Sequence, residues 1–160
     1  MAKKIRLEVV TPDRLEFAGD VESIVAPSVS GYIGILPGHI PLVARLTVGV
    51  LTVRDGDREI KLAVSEGYME VSPKKVIILA EAAEMPGEID VQRALAARRR
   101  AEEILATSKE HVALARARAS LQRATNRLKV AKYKDESGEV AEVAADDLDR
   151  TGLDSGLRSS

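Results

Sequence analysis

The sequence predicts an α+β protein whose two kinds of structure occupy separate halves. Three observations carry this. Short runs rich in β-branched residues recur up to about Ala83, apolar residues then repeat every three or four positions after Pro86-Gly87, and the charge reverses sign beyond Lys134. The expected division is a β domain over residues 1–86, an antiparallel two-helix hairpin over 87–134, and an acidic, disordered tail over 135–160.

In the first block, "IRLEVV", "VESIVAP", "VGVLTVR", "EIKLAV" and "KKVIILA" read as strands, several of them alternating. Asp55-Gly56 separates two runs, as a tight hairpin requires, because Asp and Gly tolerate positive φ. Ser72-Pro73-Lys74-Lys75 reads as a second hairpin, and Pro37-Gly38 suits the centre of a type II turn. Many short strands with turns at short intervals predict a sandwich or barrel.

The helical block opens at Asp90, an N-cap whose carboxylate can accept orphan N–H groups of the first turn. Val91, Ala94, Leu95, Ala101, Ile104 and Leu105 are expected to form one apolar stripe, giving a helix to about Ala106. Ser108 offers a second N-cap. The helix after it carries Leu114, Ala117, Leu121, Ala124, Leu128 and Ala131 as a heptad-like seam. Alternating Leu and Ala lets helices approach closely, and the short link near Thr107-Ser108 favours an antiparallel pair. In the tail, the apolar period fades while Ser, Gly and acids accumulate.

Composition narrows the chemistry. There is no cysteine, so disulfides and thiolate metal sites are excluded and a reducing compartment fits. His39 and His111 lie too far apart for a helical metal pair, so no metal site is expected. The N-terminus "MAKKIRLEVV" lacks the apolar stretch and cleavage site of a signal peptide, and no run approaches bilayer length; a soluble or peripheral protein is expected. No phosphate-cradling glycine loop is present, and no nucleophile, base and orienting group stand together, so no catalytic residue is expected.

Charge is segregated. Residues 1–88 hold 10 Lys and Arg against 13 Asp and Glu, residues 91–134 hold 12 against 3, and residues 135–160 hold 2 against 8. A charged helix face is ordinarily just solvated. Here the excess is one-sided, leaving too few acids for i, i+4 pairing, and arginine forks suit phosphate or carboxylate partners. Nucleic acid is disfavoured because Phe17, Tyr32, Tyr68 and Tyr133 are the only aromatics available for base stacking.

Several stretches then resemble a known family. "VESIVAPSVSGYIGILPGHIPLVARL", "EGYMEV" and "VIILAEAAE", followed by "IDVQRALAARRRAEE" and "LQRATNRLKVA", are similar to the epsilon subunit of bacterial F-type ATP synthase, called delta in mitochondria. The likeness covers about residues 3–133. Its most specific part is the GxxGILPGHxPL pattern at Gly31, Gly34, Ile35, Leu36, Pro37, Gly38, His39, Pro41 and Leu42. The resemblance implies a β-sandwich of about ten short strands carrying a C-terminal helical hairpin. It implies a non-catalytic central-stalk subunit at the cytoplasmic face of the bacterial membrane, bound to the gamma subunit and the rotor ring of c subunits. Membrane association would then come only through the complex.

The same resemblance assigns roles. Gly31, Tyr32, Gly34, Pro37, Gly38, His39 and Pro41 fall in the rotor-ring and gamma interface, although many relatives carry an acidic residue where Tyr32 stands. The hairpin would either fold down or extend toward the catalytic alpha and beta subunits and block ATP hydrolysis, with Arg98, Arg99, Arg116, Arg123 and Arg127 in its basic face. Ile89, Asp90, Arg93 and Ala94 match a motif that binds ATP without cleaving it. Glu84, Arg100, Arg123 and Arg127 carry over to that site by position. ATP is then a regulatory ligand and no cofactor is required. The alternative for Asp90 is a plain N-cap, with Arg93 and Arg127 pinning the helices together, and His39, without a partner in view, reads as a structural or interface residue rather than a catalytic acid or base. The alternative for the whole chain is a free-standing anion- or nucleotide-binding module, which would not co-purify in a large complex.

Overall fold

The computed structural model describes residues 3–133, so the expected disordered tail at 135–160 lies outside the described residues. The chain divides into a β unit ending at Met85 and a helical unit beginning at Pro86.

The β unit contains β1 (Ile5–Val10), β2 (Leu15–Val21), β3 (Ser23–Ser28), β4 (Gly31–Ile35) and β5 (Leu42–Leu46). It continues with β6 (Gly49–Asp55), β7 (Arg58–Val64), β8 (Gly67–Val71), β9 (Lys75–Ala80) and the two-residue β10 (Ala83–Glu84). All ten join one hydrogen-bonded sheet in the order β10-β7-β6-β3-β5-β8-β9-β1-β2, with β4 branching from β3. Only β1 and β9 run parallel; the other pairings are antiparallel.

Alternation explains the core. On β1, Ile5, Leu7 and Val9 are buried while Arg6 is exposed, and on β6 Leu51 and Val53 are buried while Arg54 is exposed. These meet Ile24, Ile35, Leu46, Leu62, Met69 and Ile78 in one apolar cluster drawn wholly from the β unit. Burying a side chain of this size contributes roughly 1.5–3 kcal/mol, so this cluster is the main source of the unit's cohesion.

The turns are geometrically specific. Gly38 has φ of 85° and the His39 N–H donates to the Leu36 carbonyl at 3.1 Å, which is the expected type II turn centred on Pro37-Gly38. Ser72 and Lys75 bond reciprocally around Pro73-Lys74, and the Ser72 hydroxyl adds a 2.9 Å bond to the Lys75 carbonyl. The β6–β7 hairpin is shifted by one residue from expectation. Asp55 pairs with Arg58, so Gly56 and Asp57 are the central residues, and only Gly56 takes positive φ, at 63°. That is the II′ arrangement, in which glycine must come first.

The helical unit begins with a 3-10 turn at Pro86–Glu88, then α1 (Val91–Thr107) and α2 (His111–Tyr133). Asp90 is the N-cap of α1 and accepts the Arg93 N–H at 3.0 Å. Ser108, expected to cap α2, instead closes α1: its N–H donates to the Ile104 carbonyl at 2.9 Å, and its hydroxyl accepts the Glu110 N–H at 3.3 Å. The second helix therefore starts at His111, after a link spanning residues 108–110. Ala94 and Leu95 near the start of α1 pack with Leu128 near the end of α2, so the helices run antiparallel.

Gly67 has no room for a side chain, since a Cβ there would lie 1.9 Å from the Leu79 carbonyl oxygen across the β8–β9 pair. Gly67→Ala should thus lower β-unit stability by about 2 kcal/mol or more, measured by urea unfolding. An unchanged midpoint would show that β8 and β9 pair less closely than described.

Candidate functional sites

The GxxGILPGHxPL stretch folds as β4 and the turn that follows it. β3 and β4 form a hairpin in which Ser28 faces Gly31, and Gly31 takes φ of 113°. The Ser28 hydroxyl donates to the Gly31 carbonyl and accepts the Ser30 N–H, locking the tip. Tyr32 is 62% exposed, with its hydroxyl 3.5 Å from the Val50 N–H. Gly49 makes this approach feasible, because a Cβ there would lie 2.5 Å from the Pro27 ring and 3.2 Å from the Tyr32 hydroxyl. Val29, Leu36 and Ile40 are also exposed, Ile40 at 75%. Glycine-rich loops and unpaired apolar side chains together suit a docking surface. Sequence patterning picked out the glycines and prolines here but not Val29 or Ile40, which look like ordinary core residues by type. His39 is half-buried and its Nδ1 lies 2.7 Å from the Ile40 carbonyl, which fits a residue that braces the turn.

In the helical unit, Arg98 and Ile104 are both placed differently from expectation. Arg98 was grouped by charge with the basic face, yet it is only 5% exposed. The spacing explains it. Val91, Ala94/Leu95, Arg98, Ala101/Glu102 and Leu105 advance by three or four and share one face. Ile104 is turned off that face by about 100° and is 39% exposed. The Arg98 Nε donates to the Glu102 Oε1 at 3.2 Å, one turn along the same helix.

The other arginines lie where charge patterning puts them or part-way there. Arg93, Arg99, Arg100 and Arg116 are exposed, whereas Arg123 and Arg127 are half-buried on one face of α2. Arg93 and Arg100, seven residues apart, share the outer face of α1. Among the motif residues Ile89 and Ala94 are buried, and Asp90 is exposed with one carboxylate oxygen engaged as the cap. Glu84 belongs to β10 in the β unit, where it pairs with Ala63. Ala117, Ala124, Leu128 and Ala131 of the expected seam are buried, and Leu114 and Leu121 are half-buried. Asn126 and Val130 are buried as well, on a different face of α2 that the Leu/Ala pattern did not reveal. Among the described residues, no group of three or more His, Asp and Glu could hold a metal ion, and no helix is long and apolar enough to cross a membrane.

The fold and these surfaces define a two-part protein: a β-sandwich unit with an exposed glycine-rich strand and turn, and a cationic helical hairpin. Residues 4–86 match the beta-sandwich domain of the ATP synthase Delta/Epsilon chain, and residues 88–132 match the long alpha-helix domain of the same chain. The chain belongs to the ATP synthase delta/epsilon family. It is 51% identical to the ATP synthase epsilon chain of Syntrophobacter fumaroxidans over 132 residues, covering 82% of this chain and 98% of that one. It is 44% identical to the corresponding chain of Desulforamulus reducens, covering 82% and 100%. Among solved structures, a chain of the Euglena gracilis mitochondrial ATP synthase superposes with a TM-score of 0.69 at 22% identity, covering 79% of this chain and 80% of that one, which shows shared fold.

The Asp90 cap yields a direct check. Asp90→Ala removes an acceptor for the first turn of α1 and should cost the helical unit about 1 kcal/mol, whereas Asp90→Asn should retain most of it. Helical circular dichroism during thermal unfolding measures both. Equal losses for the two variants would mean that the charge of Asp90, rather than its cap, holds the helix.

Proposed function

We propose that the chain is a non-catalytic central-stalk subunit of a proton-translocating F-type ATP synthase. In this reading the β unit binds the gamma subunit and sits on the rotor ring through the loop from Gly31 to Pro41. The protein is peripheral, held at the cytoplasmic face of the bacterial membrane through the complex. The helical unit restrains ATP hydrolysis by presenting its arginines to acidic surfaces of the catalytic subunits.

The observation that carries this reading is the pairing of a β core drawn wholly from its own unit with a separate unit whose exposed charged side chains are mostly cationic. A base that holds its shape without the helices can remain attached to a shaft while the helices change partners. Such an element responds to its surroundings when its alternative states differ by only a few kcal/mol. A free-standing module would not need a β unit with so exposed an apolar loop.

Deleting residues 90–160 within the assembled enzyme should raise ATP hydrolysis by at least about twofold, since even a modest inhibited population is then released. An unchanged rate would remove the inhibitory role from the helical unit. For the regulatory ligand, the exposed Arg93 and Arg100 with Arg123 and Arg127 supply forks for phosphate, and Asp90 retains acceptor capacity beyond its cap. ATP would favour the compact hairpin and so relieve inhibition. Calorimetry on the isolated protein should show saturable heat at up to about millimolar ATP, lost in Arg93→Ala. No heat would eliminate ATP sensing while leaving the stalk role intact.

A further inference from the structure

The helical unit carries a surface charge that its own residues do not balance. Only Glu102, Glu103 and Glu110 are acidic between residues 91 and 134, and Glu102 is engaged by the buried Arg98. Arg93, Arg99 and Arg100 on α1, and Arg116, Arg118 and Lys129 on α2, are exposed. Among the described residues, none of these six side chains has an ion-pair partner.

The sequence directly after α2 has the opposite character. Residues 135–149 contain seven Asp and Glu and not one Lys or Arg. The family match ends at residue 132, and it already takes in nearly the whole length of the relatives, so this acidic stretch is an addition to the shared architecture. It is also long enough to matter. Fifteen residues span up to about 50 Å, while the 23 residues of α2 rise about 35 Å.

We propose that residues 135–149 are an intramolecular acidic ligand for the exposed, unpaired arginines and Lys129 of the helical hairpin. Carboxylates meeting guanidinium forks make charge-assisted hydrogen bonds, and a tether confines them to the neighbourhood of their partners at an effective concentration of order millimolar. The contact is exposed, so it weakens as salt rises. It occupies the same arginines that an external acidic surface or a polyphosphate would need, and therefore competes with both. That this competition tunes ATP hydrolysis rests on the function proposed above; the contact itself does not.

The absence of cysteine makes the test direct. A nitroxide attached at Ala145→Cys in the full chain leaves every acidic residue in place. At about 50 mM salt it should broaden backbone amide signals around Arg99, Arg116 and Lys129 while sparing the β unit, and the effect should fall at least about threefold near 500 mM. Changing the seven acids to Asn and Gln should abolish it. Broadening spread evenly over both units, centred on the β unit, or indifferent to salt or to neutralisation would overturn the proposal. Since the readout involves no other subunit, its failure is separate from any failure of the inhibitory reading.

Discussion

The seam of the helical unit has to accommodate a buried charge, the guanidinium of Arg98 on the apolar stripe of α1. Removing a charge from water is costly, and Glu102 one turn away offsets that cost without turning the pair into a strong source of stability. The rest of the buried surface of the pair is small, since Ala94, Ala101, Ala117, Ala124 and Ala131 provide much of it. Alanine allows close approach but removes little apolar area from water. Helices in proteins, here of 17 and 23 residues, draw most of their stability from packing an apolar face rather than from propensity. The contact between the two helices is accordingly built largely from small side chains.

The β unit is built on opposite terms. Its core of Ile, Leu, Val and Met is nearly free of polar atoms, and its turns are held by residues suited to unusual backbone angles, such as Gly38 and Gly56. This rigidity positions the Gly31 to Pro41 loop. The hairpin tip is fixed by Ser28, the next turn by Pro37 and Gly38, and Tyr32 rests over Gly49. Apolar side chains can then stand exposed at fixed positions without collapsing onto the core.

Much of this was legible in the residues, and the exceptions have physical causes. β1, β3, β6, β7 and β9 announce themselves through β-branched runs. β4 does not, because "GYIGI" is exposed over most of its length and its glycines erase the alternation; β10, at two residues, is too short for any period. The family resemblance implies a total of about ten strands and does not place these two. Pro37-Gly38 was readable because proline and glycine constrain φ directly. Arg98 was misplaced because residue type suggested the surface, while its position in the three-four spacing put it inside. Ser108 satisfied the compositional rule for a helix start, yet its N–H was captured by the preceding helix. The burial of Asn126 and Val130 does not follow from the Leu/Ala seam, because they lie on another face of α2.

Under the proposed function the helices open while the β unit stays intact. Native-state hydrogen exchange measures this directly, residue by residue. Amides of α1 and α2 should exchange through an opening at least about 2 kcal/mol less costly than the one that exposes β1, β6 and β9. A single shared opening, with equal protection in helices and strands, would contradict it.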